Sequence, residues 1–235
     1  MELTVLMPCL NEHETLAFCI GEAKSFLEKS GTAGEILVAD NGSTDGSDKI
    51  ALEHGARVVC IEKRGYGEAL RGGIKEARGK YVIMADCDGS YDFSALLPYL
   101  EALRSGAVLA VGDRYAYGFE RSASPFAHRA LGVPFLSFMG RLAQRKYKPP
   151  KESLVHDFHC GLRGVERQSF SELETSASGM EFASEMILAV TRARLKIVQL
   201  PAGLRRDRRI TAKPHLKAVP DGIRHIKLIL KYIFD

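Results

Sequence analysis

The chain has 235 residues, of which 46% are hydrophobic and 26% charged. These values exclude an intrinsically disordered chain and suffice for an α/β domain with a sizeable core. Net charge is +4, from 33 Lys+Arg against 29 Asp+Glu, and no run approaches the roughly 20 apolar residues that a membrane-spanning helix needs.

Residues 3–7 form a short apolar run, read as a buried strand. Asn11 is placed to cap the helix that follows, with Glu14 in capping-box register. Leu16, Ile20, Ala23 and Leu27 recur at helical spacing, and Gly31 closes the element. Residues 35–39 are a second strand, 41–43 a turn, and a helix runs from there to about His54. A third strand is expected over 57–61, then a helix over 67–77 in spite of Gly72 and Gly73. The fourth strand is 81–85, followed by a helix over 94–104 and a fifth strand over 108–111. Residues 114–140 mix Tyr, Phe, Pro and Gly and read as a loop with a short helix. A helix over 180–193 and a strand over 197–200 follow. Residues 221–234 form a basic amphipathic helix, with Ile226, Ile229, Leu230 and Ile233 on one side and Arg224, Lys227 and Lys231 mostly off it.

Continuous apolar strands alternating with helices imply a mostly parallel sheet covered on both faces. Ligands bind beyond the carboxyl ends of such strands. Four polar clusters fall at that edge: residues 8–12, 40–45, 62–67 and 86–91. The positive surplus lies elsewhere. Residues 205–235 hold nine Lys/Arg against three Asp/Glu, a net of +6, which leaves −2 for the rest. Such a tail suits phosphate groups or an anionic membrane surface. No aromatic residue interleaves with its cations before Tyr232, so a nucleic-acid partner is not expected. Five dispersed cysteines without a CxxC pair or a leader pattern read as reduced thiols of a cytosolic protein.

Asp86-Cys87-Asp88 ends the fourth strand. Two carboxylates one residue apart can share a hard cation such as Mg²⁺ or Mn²⁺; alone, the tripeptide is equally a solvated turn. Asp40 is placed to accept from a base N–H, and Asp45 to cap a helix. Lys63, Arg64, Gly65 and Gly67 precede a helix whose amides favour a diphosphate. Neither a Walker loop nor a GxGxxG fingerprint is present. His156 and His159 lack the further ligands of a zinc set, so Asp157 is the more plausible site residue there. Glu181 and Glu185 sit one helical turn apart among apolar neighbours, a semi-buried pair expected to face the site.

These blocks resemble the family-two glycosyltransferases of GT-A fold, a Rossmann-like, mostly parallel nucleotide-diphospho-sugar transferase sheet with helices on both faces. The likeness is to polyprenyl-phosphate glycosyltransferases such as dolichyl-phosphate mannose and glucose synthases and their bacterial relatives. MPCLNEHETL is similar to that family's P-x-x-N-E-x-x-x-L, ADNGSTDGS to D-x-G-S-x-D, and the run from RGYGEAL to MADCDGSYDF to the block ending in the metal motif. VGDRY, HDFHCGLRG, GMEFASEMI and DRRITAKPHLKAVPDGIRHIK continue the series. Val133 and Arg208 stand where the subgroup has Asn and Gly, and many relatives continue into membrane helices.

The resemblance implies a nucleotide-sugar-binding half over 1–113, an acceptor-side half over 114–204 and a basic tail over 205–235, within one domain. Pro8, Glu12 and Asp40 would surround the base. Lys63 or Arg64, with Gly67, would approach the diphosphate. Asp86 and Asp88 would hold Mg²⁺ or Mn²⁺. Arg114 and Arg129 would bind the acceptor phosphate, Asp157 would lie near the transferred sugar, and Arg209 would close over the phosphates. The expected reaction is inverting transfer of a hexosyl group from a UDP- or GDP-sugar to a lipid phosphate, a polyprenyl (dolichyl or undecaprenyl) phosphate. Such an acceptor is already anionic; a hydroxyl acceptor would need a base, for which Asp157 is the candidate. A soluble hydroxyl acceptor, a sugar-phosphate nucleotidyltransferase and a silent binding module stay open as alternatives. A lipid acceptor implies peripheral contact with anionic membrane at the cytoplasmic face.

Overall fold

The first apolar run forms β1 (Leu3–Cys9), and its pleat divides the side chains between two cores. Leu3, Val5 and Met7 enter one cluster and Leu6 the other. β2 (Gly34–Asp40) and β4 (Tyr81–Met84) repeat the division, Ile36, Val38, Tyr81 and Ile83 against Leu37, Ala39, Val82 and Met84. Strands buried on both faces cannot alternate with polar residues, which is why these runs are continuous. The computed structural model describes residues 1–116, 133–211 and 217–235.

The remaining strands are β3 (Arg57–Cys60), β5 (Leu109–Asp113), β6 (Arg163–Glu166) and β7 (Ile197–Pro201). The described strands make one seven-stranded sheet in the order β3-β2-β1-β4-β6-β5-β7. All pairings are parallel except those of β6, which runs antiparallel to both β4 and β5. β6 is not expected from the sequence. It separates the fourth and fifth strands, joining the first-half strands to β5 and β7.

Helices α1 (Leu16–Ser30), α2 (Ser47–Glu53) and α4 (Leu97–Arg104) cover one face. Helices α3 (Tyr66–Glu76), α5 (Val133–Lys146), α6 (Arg167–Ser171), α7 (Phe182–Arg192) and α8 (Ala218–Phe234) cover the other. The expected short helix within 114–140 is the 14-residue α5, while 117–132 lie outside the described residues. The two glycines of α3 have a packing reason. A Cβ on Gly73 would sit 2.4 Å from Leu6 Cδ1, and one on Gly72 would sit 2.6 Å from Ile61 Cδ1.

The capping-box expectation is corrected. α1 begins after Thr15, and Asn11 stands outside it at φ 56°, with its Oδ1 accepting from the Thr44 amide at 2.8 Å. Asn11 therefore ties the β1 loop to the β2 loop, and Glu14 reaches the tail instead of the helix start. The buried line of α8 is Asp221, His225, Ile229 and Tyr232, while Ile226, Leu230 and Ile233 are half-buried. No helix among the described residues is long and apolar enough to cross a membrane. All five cysteines are free.

Candidate active site

β1, β2 and β4 end at the same edge and deliver Glu12, Asp40, Asp86 and Asp88 there. Asp88 Oδ1 accepts from the Ser90 amide at 2.9 Å, and its Oδ2 accepts from Arg209 at 3.1 Å. Asp86 receives the Tyr66 hydroxyl. Burial, reinforced by the negative charge of Asp88, pushes Asp86 up to about 6. Glu12 is pushed up to about 7 by burial, with Arg209 opposing and Asp88 reinforcing the shift. The Cys87 thiol donates to the Pro8 carbonyl at 3.2 Å, fixing the end of β1 against the carboxylate loop. A Cβ on Gly161 would stand 2.6 Å from Asp86 Oδ2, so glycine is what lets this loop approach the carboxylate.

Asp40 is buried and accepts from the amides of Gly42 at 3.1 Å and Ser43 at 3.2 Å, so it shapes its own turn. Asp45 is structural but is not the helix cap: α2 starts after Gly46, and Asp45, one residue further out, accepts from the Ser47 amide at 3.0 Å and from its hydroxyl at 2.6 Å. Asn41 fastens the following loop through the carbonyls of Ile61 and Lys63 and the amide of Gly65. Within that loop Lys63 is exposed, and Arg64 lies over Gly42, whose Cβ position is 2.9 Å from the guanidinium carbon. The amide of Gly67 donates to the Ser178 carbonyl at 2.9 Å, and that of Glu68 shares it at 3.3 Å. The start of α3 is thus committed to a protein carbonyl and not open to a phosphate.

Arg114 follows β5 and grips Asp157 with Nε–Oδ2 at 2.6 Å and Nη2–Oδ1 at 2.8 Å. Asp157 is 0% exposed, and the Arg114 contacts hold its carboxyl below the ordinary range against the opposing effect of burial. Both oxygens accept from a guanidinium, which makes it a weak proton acceptor. The general-base reading of Asp157 therefore gives way to one in which it orients Arg114. Behind this loop lies Arg163, fully buried on β6. Its Nε donates to the Cys160 carbonyl and its Nη2 to the Phe158 carbonyl, each at 2.7 Å, and its Nη1 donates to Ala183. Arg129 falls outside the described residues.

Three cations of the basic tail are spent on the protein. Arg209 pairs with Glu12 at 3.0 Å, Asp88 at 3.1 Å and Asp207 at 2.6 Å. Arg205 pairs with Glu22 and Asp92, and Arg208 stacks on Phe18. Glu14, Asp207, Tyr66 and Arg163 were not foreseen as site residues. Each nevertheless lies in one of the sequence blocks quoted above: Glu14 in MPCLNEHETL, Tyr66 in RGYGEAL, Arg163 in HDFHCGLRG and Asp207 in the segment that begins DRR.

Other expected features stand apart. Glu185 accepts from the Ser176 and Ala177 amides and Glu181 from that of Gly179, so both hold the 176–179 loop and do not face the carboxylates. His156 sits 3.5 Å from Asp113, and His159 packs edge-on against His225. A cleft of about 670 Å³ lies away from the site between α3, α6, α7 and α8, lined by Arg71, Lys75, Arg192 and Lys231 among others.

The model of glycosyl transferase family 2 matches residues 4–174. The low-salt glycan biosynthesis hexosyltransferase Agl6 of Haloferax volcanii is 36% identical over 97% of this chain, which spans about half (53%) of Agl6. A dolichyl-phosphate hexose transferase of the same organism is 26% identical over 85% of this chain and 81% of its own length. A solved structure of glucosyl-3-phosphoglycerate synthase from Mycobacterium tuberculosis, in complex with Mn²⁺, UDP and phosphoglyceric acid, superposes with a TM-score of 0.73 at 23% identity. It covers 99% of this chain and 78% of that one, a likeness of fold. Sheet order, the Asp86/Asp88 edge and the family match agree: the chain belongs to glycosyl transferase family 2.

Proposed function

We propose that this protein transfers a hexosyl group from a UDP- or GDP-sugar to a polyprenyl phosphate, with inversion and with Mg²⁺ or Mn²⁺ held by Asp86 and Asp88. The observation that carries the reading is the gathering of Glu12, Asp86 and Asp88 around one cationic group at the carboxyl edge of the sheet. The donors are all oxygens, which suits a hard cation. Among the described residues no cluster of three or more His, Cys, Asp or Glu encloses an ion. The fit is therefore to a cation that completes its shell with water and diphosphate oxygens. When bound, it offsets the charge that develops on the leaving diphosphate.

The chain's own groups do the rest. Pro8, Glu12 and Asp40 border the base. Lys63 and Arg64 project from the rim toward the diphosphate, and Arg209 is positioned to reach it from the tail. Arg114, with Arg129, binds the acceptor phosphate, and Asp157 holds Arg114 in orientation. The Asp157–Arg114 pair favours a phosphate acceptor over a hydroxyl one, because a carboxylate held by a guanidinium at both oxygens is a poor general base. The dolichyl-phosphate relative supports the lipid form of that phosphate; the phosphoglycerate bound by the fold neighbour supports a soluble form.

Peripheral membrane contact belongs to the same reading. α5 exposes Phe135, Phe138 and Leu142, and α8 exposes Val219, Ile223 and Phe234. The two helices pack together, with Tyr147 donating to the Tyr232 carbonyl at 2.9 Å. Arg224, Lys227 and Lys231 are exposed on α8.

The test supplies radiolabelled UDP- and GDP-hexoses with Mn²⁺ and either a polyprenyl phosphate or 3-phosphoglycerate. Label entering the organic phase supports the proposal. Label moving only to phosphoglycerate would replace the lipid acceptor with a soluble one.

A further inference from the structure

Segment 205–211 is fastened to the carboxylate site at nearly every residue. Arg205 bridges Glu22 at 2.7 Å and also pairs with Asp92. The Arg208 amide donates to the Asp88 carbonyl at 2.9 Å, and its guanidinium lies 4.0 Å from the Phe18 ring centroid. The Arg209 side chain is only 8% exposed among Glu12, Asp88 and Asp207. Beyond it, Glu14 accepts from the Ile210 amide at 2.5 Å, from the Thr211 amide at 3.1 Å, and from the Thr211 hydroxyl. Ile210 itself is 89% exposed, so hydrogen bonds and charge hold the segment there, not apolar burial.

This arrangement sets up a competition. One oxygen of Asp88 is occupied by the Ser90 amide and the other by Arg209. A divalent cation at Asp88 would share this carboxylate with the Arg209 guanidinium, and two cations on one carboxylate repel. Arg209 also carries its own counter-ion two residues away, Asp207, bound through Nε and Nη2 at 3.0 and 2.6 Å. It can therefore leave Glu12 and Asp88 without becoming an unpaired charge.

We propose that segment 205–211 is a latch in which Arg209, paired with Glu12 and Asp88, competes with the divalent cation for Asp88, with Glu14 as its anchoring, positioning residue. A cation bound at Asp88 would displace the guanidinium from that carboxylate, and Arg209, still paired with Asp207, would then be able to meet the nucleotide diphosphate. The inference rests on the metal reading above. It goes beyond that reading in giving Arg209 opposite effects on the two ligands and in giving Glu14 a role at a distance from both.

The test is Mn²⁺ titration by calorimetry and by the electron paramagnetic resonance signal of free Mn²⁺, without nucleotide and then with UDP or GDP. Wild type, Arg209→Gln and Glu14→Gln are compared, with circular dichroism confirming that each is folded. Arg209→Gln binds Mn²⁺ alone roughly tenfold more tightly, and binds UDP or GDP with Mn²⁺ roughly tenfold more weakly. Glu14→Gln also binds Mn²⁺ alone more tightly, by roughly threefold. Its sign is diagnostic. Removing a nearby negative charge would by itself weaken cation binding, so tighter binding reports release of the latch. Unchanged or weaker Mn²⁺ binding by folded Arg209→Gln overturns the competition, and weaker binding by Glu14→Gln overturns the anchor, with the metal site standing in both cases. Absence of Mn²⁺ binding by every protein, with or without nucleotide, overturns the metal site and the latch together.

Discussion

Arg114 and Asp157 form a buried ion pair whose members have different worth. Removing the anion strands a guanidinium, and breaking such a pair costs about 3–5 kcal/mol. Asp157→Asn is therefore expected to lower stability by an amount of that order in urea unfolding and to cut turnover as well. Asp88→Asn, at a partly exposed position, should leave the unfolding free energy within about 0.5 kcal/mol of wild type. Equal destabilisation by the two would remove the distinction between a positioning pair and a ligand-binding carboxylate. His225 gives a pH signature. It is buried against Ser184 and the His159 ring, and burial, aided by the positive charge of Arg163, pushes its imidazole down from 6.5 to about 4. With the folded value depressed, the unfolded chain binds the proton first. Its contribution is intact above about pH 6.5 and is lost as pH falls toward 4, at up to about 1.4 kcal/mol per pH unit. His225→Asn should lack this loss, so its unfolding free energy should gain on wild type between pH 6.5 and 4.5. Parallel curves over that range would contradict the assignment.

At the scale of elements, α3 sets intrinsic propensity against packing. Alanine favours a helix over glycine by about 1 kcal/mol, yet a Cβ on Gly73 would meet Leu6 at 2.4 Å and Ala39 at 3.2 Å. Overpacking of this kind costs about 1–3 kcal/mol, so Gly73→Ala is expected to lower the thermal midpoint. A rise would show that the sheet yields at this contact. The same elements explain what could be read in advance. β1, β2 and β4 were legible because strands buried on both faces must be continuously apolar, and the carboxylate edge followed from where they end. β6 was not, because Arg-Gly-Val-Glu buries an arginine and a glycine, and the arginine is satisfied by backbone carbonyls of Phe158, Cys160 and Ala183, which hydrophobic patterning does not register. Glu14 resembled a capping residue by spacing, whereas its partners Ile210 and Thr211 are 196 and 197 residues away. The tail read as free charge for the same reason: Arg205 and Arg209 find their carboxylates across the whole fold.

Across the whole molecule, the carboxylate site lies at one sheet edge and an apolar, cation-flanked surface lies on α5 and α8. Each Lys or Arg near an anionic leaflet contributes about 1 kcal/mol, fading with ionic strength. The protein is thus expected to co-sediment with phosphatidylserine vesicles at low salt and less at high salt. Phe138→Asp and Ile223→Asp should weaken that binding without unfolding the chain. Binding indifferent to both variants would move the contact elsewhere. Sugar transfer from a nucleotide donor is expected to depend on a divalent cation held by Asp86 and Asp88. Its most direct measurement is UDP or GDP release from the nucleotide-sugar with polyprenyl phosphate, across a Mn²⁺ titration, for wild type and Asp88→Asn. Wild type should be saturably Mn²⁺-dependent and the variant slower by roughly 10²–10³-fold. A folded Asp88→Asn that turns over at near wild-type rate, with the same Mn²⁺ dependence, would contradict it.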